Sequence, residues 1–192
     1  MKASSTASDI LHTARNLILQ GGYNSFSYAD IAQVVGVRNA SIHHHFPSKA
    51  LLVQAVVAAH RADVQSGLAT LQQQISDPAE QFRAYLAYWS DCIASASTPF
   101  CVCALLANEL PVLPPEVAAE VRAHFRALAG WLGSVFEQAQ AAGTFQLQTD
   151  AGAEAEMAMA TIHGAMLSAR AYGDPQVFQL IGDQLLGRLR GN

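Results

Sequence analysis

The chain has 192 residues, of which 51% are hydrophobic, and carries a formal net charge of −4. This is enough apolar material to bury a substantial core in one large domain or two smaller ones. No apolar run reaches the roughly 18 residues of a membrane span, and the polar start MKASSTASD lacks the apolar stretch of a signal peptide, so a cytoplasmic protein is expected. The charge is unevenly placed. Residues 1–61 hold Lys2, Arg15, Arg38, Lys49 and Arg61 against only Asp9 and Asp30, with five of the seven histidines, whereas the remainder is acidic. A basic head on an acidic body fits a protein with one nucleic-acid face, although chance sorting of few charges gives the same asymmetry.

Helical periodicity dominates, and no Asn-Gly or Asp-Gly hairpin signal interrupts it. About nine helices and no sheet are predicted. Residues 1–7 are read as a mobile tail. Ser8 is read as the cap of a first helix with Ile10, Leu11, Ala14, Leu17 and Ile18 on one face, ended by Gly21-Gly22. Ser27 caps a short second helix, Gly36 makes a tight turn, and a third helix runs from near Arg38 to His44. Pro47 breaks it, and Ser48 caps a long fourth helix to about Gln74. Asp77-Pro78 opens the next, Ser95–Pro99 is a loop, and a short helix from Cys101 to Leu110 is stopped by Pro111. Pro114-Pro115-Glu116 starts a long helix to Gly143. Asp150 and Asp174-Pro175 open the last two.

Two short helices joined through Val35-Gly36-Val37 have the geometry of a helix-turn-helix. Ile31, Val35, Ile42 and Phe46 are expected to seat the third helix on the first two. Arg38, Asn39, Ser41, His43 and His44 then point outward, and all can hydrogen-bond to bases or phosphates. The run His43-His44-His45 does not indicate a metal. Consecutive helical residues point about 100° apart and cannot converge on one ion.

The segment FSYADIAQVVGVRNASIHHHFPSKALL, residues 26–52, resembles the signature of the tetracycline-repressor (TetR) family, and the preceding ILHTARNLILQGGYNSF is similar to that family's first helix and Gly-Tyr corner. The resemblance implies an all-α fold with a three-helix DNA-binding domain over 1–47 and a helical effector-binding and dimerisation domain over 48–192. It also implies that Ser27 and Tyr28, at a helix N-terminus, meet phosphate. Ser41 and His43 would lie against DNA and Lys49 would contact phosphate, with Arg38 and Asn39 the candidates for base readout. His43 stands where the family usually has tyrosine, so the operator sequence does not transfer. His45 matches a packed, structural position. Taken without the motif, Lys49 would read as a solvated lysine.

Aromatic and sulfur side chains concentrate between residues 82 and 166. Most such stripes are core, but the resemblance implies a small-molecule cavity in this region. Phe82, Tyr85, Trp89, Cys101, Phe125, Trp131 and His163 are the candidate lining, and Tyr88, Cys92, Asn108 and Glu109 are further polar groups for it. The segment FCVCALLANELPVLPPEVAAEVRAHF is similar to a branch of the family in which a cysteine opens this helix and responds to electrophiles or oxidants. Phe100 replaces a common glycine there. Cys101 is therefore either a thiol switch at a helix start or a packed, inert side chain. Three cysteines do not suggest a disulfide framework, and C-x-C lacks the C-x-x-C spacing of a zinc site, so neither metal nor cofactor is expected. The small-residue helix EAEMAMATIHGAMLSARAYG and the last helix, with Leu180, Ile181, Leu185 and Leu189, are implied by the resemblance to pair with their twofold mates; packing within one chain is the alternative.

The expected function is a ligand-responsive regulator, a repressor released from operator DNA by a small apolar or electrophilic effector, with activation also open. No nucleophile–base–orienter set and no glycine-rich phosphate loop speaks for an enzyme. A helical ligand-binding or redox module without DNA function is the other alternative.

Overall fold

The protein is described here by a computed structural model covering residues 2–95 and 100–191. Among the described residues there are nine α-helices and no strand: α1 (Lys2–Gly21), α2 (Tyr28–Val35), α3 (Asn39–His45), α4 (Lys49–Gln74), α5 (Pro78–Ala94), α6 (Val102–Ala107), α7 (Pro115–Ala141), α8 (Ala151–Tyr172) and α9 (Gln176–Arg190). Two compact units form. The first contains residues 1–63 and 101–124, and the second residues 64–100 and 125–192. The loop expected at Ser95–Pro99 lies, beyond Ser95, outside the described residues.

In the first unit α1 packs against α2, α3 and α6. Its stripe Ile10, Ala14 and Ile18 is wholly buried, as are Ile31 of α2, Ile42 of α3, Leu52, Val53 and Val57 of α4, and Leu106 of α6. The α2 start is built as expected. The Ser27 N–H and hydroxyl both donate to Asp30 Oδ2, at 2.7 and 2.8 Å, in a capping-box arrangement. These hydrogen bonds hold the Asp30 carboxyl below its ordinary range. Gly36 closes α2 in the left-handed region, φ 73° and ψ 31°, and sends the chain into α3. A Cβ there would meet nothing within 4 Å. Gly36→Ala should therefore cost only the backbone penalty, about 1–2 kcal/mol. Urea unfolding checks this, and a larger loss would mean that the turn also carries packing.

The second unit is organised by α8 and α9, which pack along each other, with α5 against α9. Phe82 of α5 meets Phe136 of α7 edge-on at 5.0 Å between ring centroids, and Phe145 stands edge-on to both. The exposed faces of α8 and α9 include Met157, Leu167 and Leu180. Glu154 of α8 is completely buried and takes two hydrogen bonds from the Arg188 guanidinium, at 3.2 and 2.6 Å, and one from the Gln148 N–H at 3.1 Å. No helix among the described residues is long and apolar enough to cross a membrane.

Two boundaries differ from the sequence reading. Helix α1 begins at Lys2, so Ser8 is interior and residues 2–7, expected as a tail, are helical. Serine costs a helix interior only a few tenths of a kcal/mol, roughly, relative to alanine, so a cap-type residue alone does not start a helix. Helix α6 ends at Ala107, and Pro111 sits inside a 3-10 turn, Leu110–Val112. Pro111 has no N–H to give to the carbonyl four residues back, that of Ala107, and its ring clashes with it, so the α-helix ends there and the chain continues in the tighter form.

Candidate nucleic-acid interface and effector site

Helix α3 has only seven residues, too few to be stable alone. It is held from one side. Ile42 is fully buried, and the Tyr28 hydroxyl donates to the Phe46 carbonyl at 2.8 Å, tying the start of α2 to the end of α3. The Tyr28 ring also lies 4.6 Å from the His43 ring. Burial first, then Tyr23, raises the Tyr28 phenol above its ordinary pKa, so it remains a neutral donor. Its single proton is committed to Phe46, which leaves only lone pairs on the hydroxyl oxygen; a phosphate there would have to use the Tyr28 backbone N–H at the α2 start.

Arg38, Asn39, His43 and His44 are exposed on the outer side of α3, and Ser27 is exposed at the start of α2. Ser41 and His45 are partly buried. Arg38 is the N-cap of α3, with extended backbone, and Asn39 is its first helical residue. Lys49 is partly buried and donates to the Phe26 carbonyl, with its ammonium 4.2 Å from the Phe26 ring centroid and 5.0 Å from that of Tyr23. Burial lowers its pKa, opposed by the charges of Asp30 and Glu109. One of its three donors is thus used within the protein, and two remain.

Glu109 is expected from the sequence among the polar groups of the effector site. The structure instead places its carboxylate on the Tyr23 N–H, at 3.1 and 3.2 Å. This requires glycine at position 22, where φ is 85° and a Cβ would lie 2.1 Å from a Glu109 oxygen. Nothing local in the sequence signals this contact, which spans 86 residues.

The candidate effector residues fall into separate groups. Phe82, Tyr85 and Trp89 of α5 are buried, with Phe82 inside the aromatic core. Tyr85 stacks at a tilt on Trp131 of α7, 5.4 Å between centroids. The buried indole N–H groups of Trp89 and Trp131 have no acceptor among the described residues. Phe125 and His163 face each other at 5.2 Å and are partly buried. Tyr88 and Asn108 are exposed, whereas Cys92 is partly buried.

Cys101 lies in the first unit and is 1% exposed. It is the N-cap of α6, and its Sγ is 3.7 Å from His60 Nε2 and 3.8 Å from His124 Nε2. Cys103 joins them, and the four ligand-type atoms all lie within 4.8 Å of one another. Burial and the neighbouring Cys101 hydrogen bond raise the Cys103 thiol well above its ordinary pKa, with the hydrogen bond the larger cause. Neither the His43–His45 run nor a C-x-x-C spacing points to this cluster. The available signal is the C-x-C pair taken with His60 and His124.

Comparison with known proteins agrees with this architecture. The model of the tetR family of bacterial regulatory proteins matches residues 10–56, and that of the tetracyclin repressor-like C-terminal domain matches residues 78–185. A TetR-family transcriptional regulator from Agrobacterium tumefaciens is 58% identical, with a TM-score of 0.96 over 98% of this chain and 99% of that one. A TetR regulator from Legionella pneumophila is 26% identical, with a TM-score of 0.83 over 92% and 93%. The regulator AibR, solved with isovaleryl coenzyme A and operator DNA, shares the fold at 22% identity, with a TM-score of 0.74 over 96% and 98%. No curated protein matches the sequence. With both family models covering most of its length, and a close relative along nearly all of it, the chain belongs to the TetR family of bacterial transcriptional regulators.

Proposed function

We propose that the protein is a repressor that binds operator DNA in the cytoplasm as a homodimer, reading it through residues 1–47 and taking a small effector into residues 48–192. The observation that carries this is the exposed row on α3. Arg38, Asn39, His43 and His44 face solvent while Ile42 anchors the opposite side of a helix that the left-handed Gly36 turn sets off from α2. Two such helices in a dimer would read successive major grooves about 34 Å apart. The exposed spacing of Met157, Ala160, Gly164 and Leu167 along α8, with Leu180 on α9, supports pairing of these helices with a second copy.

Arg38 and Asn39 are the base-reading residues, and Ser41, His43 and His44 complete the surface. Ser27, the Tyr28 backbone and Lys49 bind phosphate. The effector is an apolar molecule carrying a hydrogen-bond acceptor. Two buried indole N–H groups, on Trp89 and Trp131 beside Tyr85, without acceptors among the described residues, favour this; a buried donor without an acceptor costs about 1–3 kcal/mol. Release follows if the effector prefers a body shape with the wrong separation of the two reading helices. An electrophile acting at Cys101 is the second reading, and it must reach a thiol that is 1% exposed.

The test is a mobility-shift titration on the DNA upstream of the protein's own gene at two salt concentrations. Specific binding that falls steeply with salt is expected. Arg38→Ala and Asn39→Ala should each cost about 1–3 kcal/mol and relax preference at one base position. Lys49→Ala should weaken binding to all sequences alike. If all three variants bind as the parent does, the assigned DNA face is wrong.

A further inference from the structure

The four side chains His60, Cys101, Cys103 and His124 come from α4, the turn into α6, α6 itself and α7, and all four are buried. We propose that they form a tetrahedral binding site for one divalent metal ion of the zinc class. The site is distinct from the DNA face and the indole pair, and it does not depend on the function proposed above.

The geometry is that of a preassembled Cys2His2 site. With Zn–S near 2.3 Å and Zn–N near 2.05 Å, tetrahedral angles put a sulfur and an imidazole nitrogen about 3.6 Å apart, and two sulfurs about 3.8 Å apart. The Cys101 sulfur is 3.7 Å from His60 Nε2 and 3.8 Å from His124 Nε2. All pairs of ligand atoms fall within 4.8 Å. Closing around an ion therefore requires shifts of an ångström or less. Two residues apart, Cys101 and Cys103 converge because Cys101 is still extended, with φ −71° and ψ 122°, while Cys103 is already within α6. A C-x-C pair on regular helix would diverge. This break in backbone geometry is why the spacing in sequence did not announce the site.

The donor chemistry selects the ion. Two sulfurs and two imidazoles suit zinc-class ions and exclude magnesium and calcium, which require oxygen. Loading displaces the thiol protons, M²⁺ + 2 Cys–SH + 2 His giving M(Cys–S)₂(His)₂ + 2 H⁺, with neutral imidazoles. The product carries no net charge, as a buried site demands. The supporting frame is present: Arg61, next to His60, pairs with Glu120, one turn before His124, at 2.9 Å, joining α4 and α7 beside the cluster.

Cobalt(II) titration of the purified, metal-stripped chain tests this. We expect one ion per chain, with the intense visible bands of tetrahedral coordination and sulfur-to-metal charge transfer. Zinc should displace the cobalt, and excess magnesium should not. Cys101→Ser and Cys103→Ser should each weaken affinity by at least about 100-fold, beyond the range for an outer-shell change, while Cys92→Ser leaves it unchanged. Circular dichroism establishes that the variants fold. Should a variant unfold, the parent protein decides alone: no bound cobalt, or a weak octahedral spectrum without charge transfer, overturns the proposal. A parent-like spectrum in folded Cys101→Ser and Cys103→Ser overturns it as well.

Discussion

Replacing Glu154 with alanine is expected to destabilise the protein by about 3 kcal/mol, the lower end of the range for breaking a buried ion pair. The carboxylate is fully buried, and its loss strands the Arg188 guanidinium, which is partly exposed, and the Gln148 N–H. Arg190→Ala, which removes the exposed pair of Arg190 with Glu80 at 2.9 Å, is expected to cost less than about 1 kcal/mol. Urea unfolding of the two variants compares them directly, and equal midpoints would refute the assignment of Glu154 as the stronger contributor. The pH dependence has a fixed sign. Hydrogen bonding to Arg188 outweighs burial and holds the Glu154 carboxyl below its ordinary range. A depressed folded-state pKa gives stability that is full above the unfolded glutamate value, about 4.3, and is lost as pH falls through the lower folded value. Glu154→Gln should flatten the loss of stability in that acid window and leave the slope near neutral pH unchanged.

Ile42→Ala should have the second large effect, and on DNA binding rather than on the second unit. Ile42 is completely buried, and truncation of isoleucine to alanine costs about 2–5 kcal/mol. A seven-residue helix has no stability of its own to absorb this. Its remaining ties include the Tyr28–Phe46 hydrogen bond and the Tyr28 ring beside His43. If about 2 kcal/mol of that loss falls on the DNA-competent arrangement of α3, operator affinity drops roughly 30-fold. The mobility-shift titration measures it. Binding within a factor of two of the parent would mean that Tyr28 and the Gly36 turn suffice to place α3.

The helix-turn-helix was legible because its information is local. Ser27 with Asp30, the glycine at 36 and buried Ile31 and Ile42 on adjoining short helices are all set by neighbours a few residues away. The same locality let the Asp77 and Asp150 caps be read directly; they accept from Ala79 and Ala153. Misread ends came from local signals that compete weakly, as at Ser8, or act indirectly, as at Pro111. The placement of Glu109 and Tyr28 was not legible. Each makes its hydrogen bond to a backbone group 86 or 18 residues away, and no periodicity reports on that.

By itself, then, the sequence determined the helical class, the order of the helices and the face α3 turns outward, because helix propensity, caps and apolar spacing act within one or two turns. Only tertiary structure decided which polar groups share a buried space. His60, Cys101, Cys103 and His124 are up to 64 positions apart, and only the packing of α4, α6 and α7 brings their donor atoms within 4.8 Å.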